Sequence, residues 1–382
     1  MVRPAVAYCV AYIVPLVSFL SFLSKRWSTA YAAIFLAFVL IPILDVALGL
    51  DEENPTKEEL NPRRECFSYR LVIYFWPIVQ WSFLLWAANV VAKDVSLSAG
   101  SFVGLGVTAG LLAAQGINVS HELFHKRNRF EQMLGKSILV SVCYGHFYIE
   151  HVYGHHKRVA TPEDPATARY GESFYAFLPR TLVGSLVSAW RIEGKRLARR
   201  GQVVWSIRNE MLRFCIGSAV WFSAIWFLYG FRACRLFLLH SCVAIILLEM
   251  VNYIEHYGLE RAVMEVLSSG EKVYEPVSNF HSWNSSHRLT NYVLFKLQRH
   301  ADHHTHAIRP YHLLHTTTDS PQLPAGYPTM IILLLFPPIW RRIMHPILER
   351  TMQERSLFKE SHRTGQVCRE PKGVRKNAPT RH

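Results

Sequence analysis

The sequence predicts an all-α, polytopic membrane protein with about six transmembrane helices and a histidine-rich site for two metal ions at one membrane face. Half of the 382 residues are hydrophobic. Six apolar runs reach the length of about 20 residues that a membrane-spanning helix needs, and a soluble protein would rarely carry so many. The 19 histidines are clustered along the chain rather than scattered. The predicted spans are residues 4–24, 30–50, 70–92, 97–118, 211–230 and 234–253.

The first run, 4–24, is interpreted as a span and not as a removable signal peptide, because no small-residue cleavage site stands in a suitable position. The last four runs pair into two helical hairpins. One hairpin combines 70–92 with 97–118, and the other combines 211–230 with 234–253. Each hairpin leads straight into a segment that contains histidines, so the histidines are expected at one membrane face.

Charge assigns that face to the cytoplasm. The chain has 42 Lys and Arg against 28 Asp and Glu, a net charge of +14. The excess lies mainly in 126–213 and in the tail after Arg341, whereas the connections 92–97 and 230–235 carry few charges. The positive-inside rule therefore places 119–210 and both termini in the cytoplasm. Topology and attraction to anionic lipid account for the basic excess, so no nucleic-acid partner is expected.

One membrane domain is expected over residues 1–349, followed by a basic tail, 350–382, that is expected to be mobile or loosely packed. The seven cysteines include no C-x-x-C pair. A disulfide framework, a zinc ribbon and an iron–sulfur motif are therefore not expected.

Nine histidines are the candidate metal ligands. Most are spaced three or four residues apart, a spacing that brings imidazoles to one side of a helix. Nine imidazoles exceed the four ligands of a tetrahedral zinc and suit two metals with four or five nitrogen ligands each. Imidazole suits zinc, copper, iron and nickel, and oxygen chemistry on iron is favoured over hydrolysis. The nine are His121, His125, His151, His155, His156, His256, His300, His303 and His304.

Four acidic residues adjoin these histidines: Glu122, Glu150, Glu255 and Asp302. A metal-bound imidazole usually donates its second N–H to an acceptor, often a carboxylate. We expect this role for the four, with direct metal ligation as the alternative. His146, His281, His287 and His306 are expected to be structural or hydrogen-bonded instead.

Four segments resemble the histidine boxes of the integral-membrane alkane monooxygenases, which belong to the fatty acid desaturase–hydroxylase superfamily. The resemblance extends over roughly residues 30–346 and includes "HSWNSSHRLTNYVLFKLQRH" at 281–300. The four boxes are "HELFHK" (121–126), "EHVYGHH" (150–156), "NYIEHYGL" (252–259) and "LQRHADHH" (297–304).

The resemblance implies a non-haem di-iron enzyme that uses O2 and two electrons to hydroxylate the terminal methyl of an apolar chain. It implies that the nine histidines hold two irons, and that rubredoxin or a similar small protein, with its reductase, supplies the electrons. Cys368 is the only cysteine after Cys242, so no fused rubredoxin is expected. A basic surface that includes Arg199 and Arg200 would suit an acidic donor. The spans would supply an apolar channel, with 72–86 as a candidate lining.

Three alternatives stay open at this point. The same di-iron centre could serve a lipid desaturase or a fatty acid hydroxylase. His121-Glu122-x-x-His125 also matches the zinc protease motif, with Glu122 as general base. A metal transporter would need ionisable residues near the bilayer midplane, and the spans are mostly free of them. Substrate chain length, oligomeric state and the choice between a bacterial inner membrane and the endoplasmic reticulum also stay open.

Overall fold

A computed structural model of the chain describes residues 4–23, 30–60, 67–317 and 319–364, and these are mostly helical. The predicted all-α class is confirmed. The α-helices are α1 Ile13–Leu23, α2 Ala32–Phe35, α3 Ile41–Leu48, α4 Phe67–Lys93, α5 Ala99–Phe124, α6 Arg129–Ser141, α7 His146–Glu150, α8 His156–Arg158, α9 Phe174–Ala198, α10 Glu210–His256, α11 Arg288–Val293, α12 His300–Thr305, α13 Tyr327–Leu334 and α14 Pro337–Thr364. Short 3₁₀ or π turns occupy Ala5–Tyr12, Leu36–Leu40, His151–His155, Asn279–His281 and Tyr311–Leu313. Strands β1 Val263–Val266 and β2 Lys272–Tyr274 form one antiparallel hairpin.

Four helical stretches are long and apolar enough to cross a membrane: Ala5–Leu23, Phe67–Lys93, Ala99–Phe124 and Glu210–His256. Ala32–Leu48 is a shorter apolar stretch. The longest helix, α10, is interrupted at Gly230, where φ is 79°. The contact of Cys234 Sγ with the carbonyl oxygen of Phe222, at 3.9 Å, shows that the chain folds back there. Each predicted span is helical over most of its described residues, with non-helical ends at 4, 30–31, 49–50 and 97–98. Residue 24 lies outside the described residues, and the count of six stays a prediction.

The hairpin turns gather at one end of the molecule. The guanidinium of Arg232, just after the α10 turn, donates to the carbonyl oxygens of Asp94 (2.6 Å) and Leu97 (3.0 Å), in the connection between α4 and α5. The histidines stand at the opposite ends of α5 and α10. The hairpin turns and the histidine segments therefore lie at opposite ends of these helices.

Glycines let α5 pack directly on α10. A Cβ at Gly110 would lie 2.5 Å from Val243 Cβ and 2.9 Å from the carbonyl oxygen of His240. Gly106, one turn earlier, approaches Leu239 in the same way. Small residues at a spacing of four let transmembrane helices approach closely, and dispersion contacts then stabilise the pair. This contact fixes the helix that ends in the first histidine box against the helix that ends in the third.

The chain divides into two compact units, Met1–Arg341 and Arg342–His382. Every residue of the candidate site lies in the first unit. In the second unit, α14 continues to Thr364, so the first residues of the expected tail are helical. Residues 365–382 lie outside the described residues, and the expected boundary near residue 349 stays a prediction.

Candidate metal centre

Five histidines from three chain segments form one cluster, here called the five-histidine cluster. Their candidate ligand nitrogens all lie within 4.8 Å of one another. The Nε2 atom of His151 lies 2.9 Å from that of His121 and 3.0 Å from that of His156, and His156 Nε2 lies 3.2 Å from His303 Nε2. His125 completes the group from the end of α5.

The remaining four form a second group, the four-histidine cluster: His155, His256, His300 and His304. The Nε2 atoms of His300 and His304 lie 2.9 Å apart. His155 Nε2 lies 3.3 Å from His304 Nε2, and His256 Nε2 lies 3.3 Å from His300 Nε2. The structure thus brings all nine predicted residues together and divides them five and four, a division that the sequence left open.

Local backbone geometry produces this division. Residues His151–His155 form a π turn, whose wider i to i+5 hydrogen bonding brings residues five apart onto one side. His151 and His156 therefore share the five-histidine cluster, while His155 points into the other. In α12 the ordinary i, i+4 spacing joins His300 with His304, and His303 faces the five-histidine cluster. Two boxes contribute to both clusters, so the clusters lie side by side.

The chemistry of these donors fits metal ions. Burial lowers the pKa of His151, His156, His300, His303 and His304 well below the ordinary value, so the imidazoles are neutral and keep a lone pair at neutral pH. Converging lone pairs in a buried site repel one another unless a cation lies between them. The buried Nε2 atom of His125 has no hydrogen-bond partner among the described residues. The two clusters therefore have the donor set of a metal site.

A carboxylate that the sequence analysis missed orients one of these rings. His155 Nδ1 donates to Asp164 Oδ2 at 2.8 Å, and Thr167 Oγ1 donates to the same carboxylate at 2.7 Å. Burial by itself raises the pKa of Asp164, but the charge and hydrogen bond of His155, with the bond from Thr167, lower it overall. Asp164 therefore accepts as a carboxylate. It follows the second box in a proline-flanked turn, a signal that a search restricted to immediate neighbours of histidine does not use.

Glu255 has a similar place, although not beside the histidine that adjoins it in sequence. Its Oε1 atom lies 3.3 Å from Nδ1 of His300 and accepts a hydrogen bond from the Tyr327 hydroxyl at 3.0 Å. Consecutive residues of a helix point about 100° apart, so Glu255 and His256 face different partners. His256 Nδ1 donates instead to the backbone carbonyl of His281 at 3.2 Å.

The other three predicted acidic residues pair with cations or amides of the surrounding segments. Glu122 forms an ion pair with Lys126 at 2.6 Å and accepts a hydrogen bond from the Tyr311 amide at 3.0 Å. Glu150 accepts from Arg158 at 2.6 Å, and burial raises the pKa of its carboxyl to about 7. These pairs hold the first two boxes in place. Asp302 pairs with Arg309 at 2.5 Å and with His306 at 3.0 Å.

These positions bear on the zinc protease alternative. Both histidines of the H-E-x-x-H motif belong to the five-histidine cluster, together with three ligands that one protease zinc would not need. The Glu122 carboxylate is engaged by a lysine and a backbone amide. Glu122, the general base of the protease hypothesis, is thus held in an ion pair, which disfavours a zinc protease.

An apolar cavity of about 130 Å³ ends at the two clusters. Its histidines are His121 and His151 of the five-histidine cluster and His300 of the four-histidine cluster. Aliphatic side chains of α5, α10 and α13 form part of its wall, and apolar side chains within 11–41 and 293–297 form much of the rest. Of the aromatic-rich run 72–86, only Trp76 contributes to the lining. An apolar chain in this cavity would meet both clusters at its end.

Comparison with known proteins gives consistent matches. The family model described as "Fatty acid desaturase" matches residues 98–333. Alkane 1-monooxygenase 2 of Pseudomonas aeruginosa is 41% identical over 83% of this chain and 83% of its own length. Alkane 1-monooxygenase 2 of Alcanivorax borkumensis is 38% identical over 94% of both chains. Alkane 1-monooxygenase of Acinetobacter baylyi is 40% identical over 80% of this chain and 74% of its own.

Proposed function

We propose a reaction from one premise: this chain belongs to the alkane 1-monooxygenase family, within the fatty acid desaturase family of integral membrane proteins. The protein acts as a membrane monooxygenase on linear alkanes or similar apolar chains. It converts a terminal methyl to a primary alcohol, R–CH3 + O2 + 2 e⁻ + 2 H⁺ → R–CH2OH + H2O. The observation that carries the proposal is the apolar cavity that ends at both histidine clusters.

The proposed cofactors are two iron ions, one in each cluster. When bound, they would supply the O2-activating chemistry that a strong aliphatic C–H bond requires. The nine histidines would hold them, while Asp164 orients His155 through its second ring nitrogen and Glu255 lies 3.3 Å from that of His300. Support comes from the clustering of neutral imidazoles in two adjacent groups.

The cavity positions the substrate and keeps water out. A linear chain that lies along α5 and α10 presents one end to the histidines, so the terminal methyl is the group that reacts. The aliphatic wall excludes water and thereby limits unproductive reactions. The chain end is selected by shape alone, because apolar walls give a hydrocarbon no directional contact.

The proposed electron donor is a separate rubredoxin-like protein, itself reduced by a reductase, on the cytoplasmic face. His156 is a partly accessible member of the five-histidine cluster, and the exposed Lys157 follows it. The Arg261 guanidinium donates to the Lys157 carbonyl at 3.0 Å and so lies next to it. We propose that an acidic donor binds at the basic residues Lys157 and Arg261. Charge reversal at Lys157 is then expected to raise the KM for the donor and weaken its salt dependence.

A second candidate, a lipid desaturase or fatty acid hydroxylase, is supported by the family model that spans residues 98–333. Product analysis separates the two. We expect purified protein with O2, a rubredoxin and its reductase to convert a linear alkane to the primary alcohol. His155→Ala and His303→Ala should yield no alcohol while still inserting into the membrane. An alkene or an internal alcohol from a fatty acyl substrate, with no alkane turnover, would support the second candidate.

A further inference from the structure

Helix α9 runs along the histidine-bearing membrane face. Near its start, the ring of Phe177 packs on that of Tyr253, close to the end of α10, with centroids 5.4 Å apart. Near its end, Glu193 accepts a hydrogen bond of 2.7 Å from the amide of Glu210, the first residue of α10. Both ends of α10 lie at one face because α10 folds back at Gly230. Residues 177 and 193 are about 24 Å apart along α9, so this helix follows the face instead of crossing the bilayer.

Between residues 181 and 188, α9 turns polar residues inward and apolar residues outward, while its two ends also bury apolar residues such as Phe177 and Leu197. Its inward side includes Thr181 and Ser188, which are buried and hydrogen-bonded within the protein. Its outward side carries Val183, which is 64% exposed, and the exposed Leu186 and Val187. A surface helix in water shows apolar residues inward and polar residues outward. The reverse arrangement fits a helix whose outer side contacts lipid.

The apolar surface continues into the connection 199–209, between α9 and α10. Val203, Trp205 and Ile207 alternate along it and are 69%, 78% and 65% exposed. The ring of Trp205 lies 6.1 Å from that of Trp190 on α9, so the helix and the connection form one surface. Tryptophan is enriched at the boundary between membrane and water.

A set of exposed cations borders this apolar surface. Arg196 is not among them, since it pairs with Glu193 at 2.5 Å. The segment 199–209 contains no acidic residue. Cations beside an apolar surface fit the phosphates of an anionic leaflet, because the side chains extend towards the headgroups. The exposed cations are Arg191, Lys195, Arg199, Arg200 and Arg208.

We propose that the outer side of α9 and the connection 199–209 form a membrane-surface anchor that binds anionic phospholipid. The apolar side chains enter the boundary between headgroups and acyl chains, and the bordering cations bind lipid phosphates. This assigns Arg199 and Arg200 to lipid rather than to the electron donor. The anchor does not depend on which reaction the protein catalyses.

The first test measures contact of Trp205 with lipid. Full-length protein and Trp205→Phe are reconstituted in nanodiscs with and without brominated acyl chains, which quench tryptophan on contact. The difference between the two proteins reports Trp205 alone, and Phe keeps the apolar character and the fold. We expect bromolipid to quench this difference signal. A difference signal that is equally strong in both lipids overturns the proposal.

The second test measures headgroup preference by the electron spin resonance of spin-labelled phosphatidylglycerol and phosphatidylcholine bound to the full-length protein. Arg199→Gln with Arg200→Gln is expected to lower the preference for phosphatidylglycerol by up to about fivefold for each cation removed. Lys57→Gln with Lys272→Gln, two exposed cations elsewhere, is the matched control and should leave it unchanged. An unchanged preference in the arginine variant overturns the proposal. If the lipid preference is unchanged and the arginine variant is no longer reduced by an acidic donor, the surface is a protein-docking site instead of a lipid anchor.

Discussion

Replacement of Asp164 by Asn should empty one cluster and spare the other. Asp164 is buried and accepts two short hydrogen bonds, of 2.8 Å from His155 and 2.7 Å from Thr167. The amide keeps the size but loses the charge, so its one oxygen accepts more weakly from His155 and Thr167, and its NH2 group cannot accept the bond that the Ala166 amide donates to the other carboxylate oxygen at 3.2 Å. A lost hydrogen bond to a charged group costs about 1.5–3 kcal/mol, which equals about 10- to 100-fold in metal affinity, the range found for such orienting groups.

The assay is iron per chain after dialysis against a graded chelator. Only the four-histidine cluster contains His155. Wild-type protein should therefore retain about two irons, and Asp164→Asn about one, at chelator concentrations 10- to 100-fold lower than those that strip the wild type. Glu163→Gln, an exposed neighbour with the same change in charge, is the control. Retention of both irons by Asp164→Asn with wild-type resistance to chelator, or equal loss of iron from Glu163→Gln, would contradict the role of Asp164.

Three further predictions concern packing, the cavity and pH. Gly110→Ala should lower the unfolding temperature, since overpacking against Val243 and a backbone carbonyl costs about 1–3 kcal/mol. The control, Gly100→Ala, should leave the unfolding temperature unchanged, because its added Cβ meets nothing closer than 4.0 Å. Ala114 lines the cavity two turns, or about 10 Å, along α5 from His121. Ala114→Phe should therefore abolish turnover of long chains while the iron content stays constant. An unchanged chain-length preference would argue against this cavity as the substrate site. Metal-free protein should lose thermal stability as the pH falls below about 6.5, because the histidines then bind protons in the unfolded chain but not in the folded protein, where their pKa values are lowered. Glu150, whose pKa is raised, acts in the opposite direction, but it is one group. A melting temperature that rises on acidification would contradict this expectation.

The positions of the helices and the nine histidines were predictable because each rests on local sequence. Apolar runs of spanning length and spacings of three or four residues are short-range signals. The fold-back of α10 was predicted too, although the structure confines its break to Gly230. A span count depends on where a membrane lies, which neither hydropathy nor helix length determines for a stretch as short as Ala32–Leu48.

The division of the histidines could not be read from the sequence. It depends on a π turn at His151–His155, and ordinary helical spacing would have grouped His151 with His155. Asp164 was missed for a related reason, since a turn nine residues away returns it to His155. Adjacent acidic residues such as Glu122 look like partners of a ligand in sequence, but a helix turns them towards other groups. These contacts depend on how the chain folds back on itself, and residue spacing in the sequence does not determine them.

We propose above that the two histidine clusters hold two irons. The most direct test is the metal content per chain of protein purified in detergent, by mass spectrometry, for wild type and for His125→Ala and His256→Ala, which remove one residue from each cluster. We expect about two irons in the wild type and, in each variant, loss of iron from the altered cluster first. A single zinc and no iron, in protein expressed with ample iron, would contradict it.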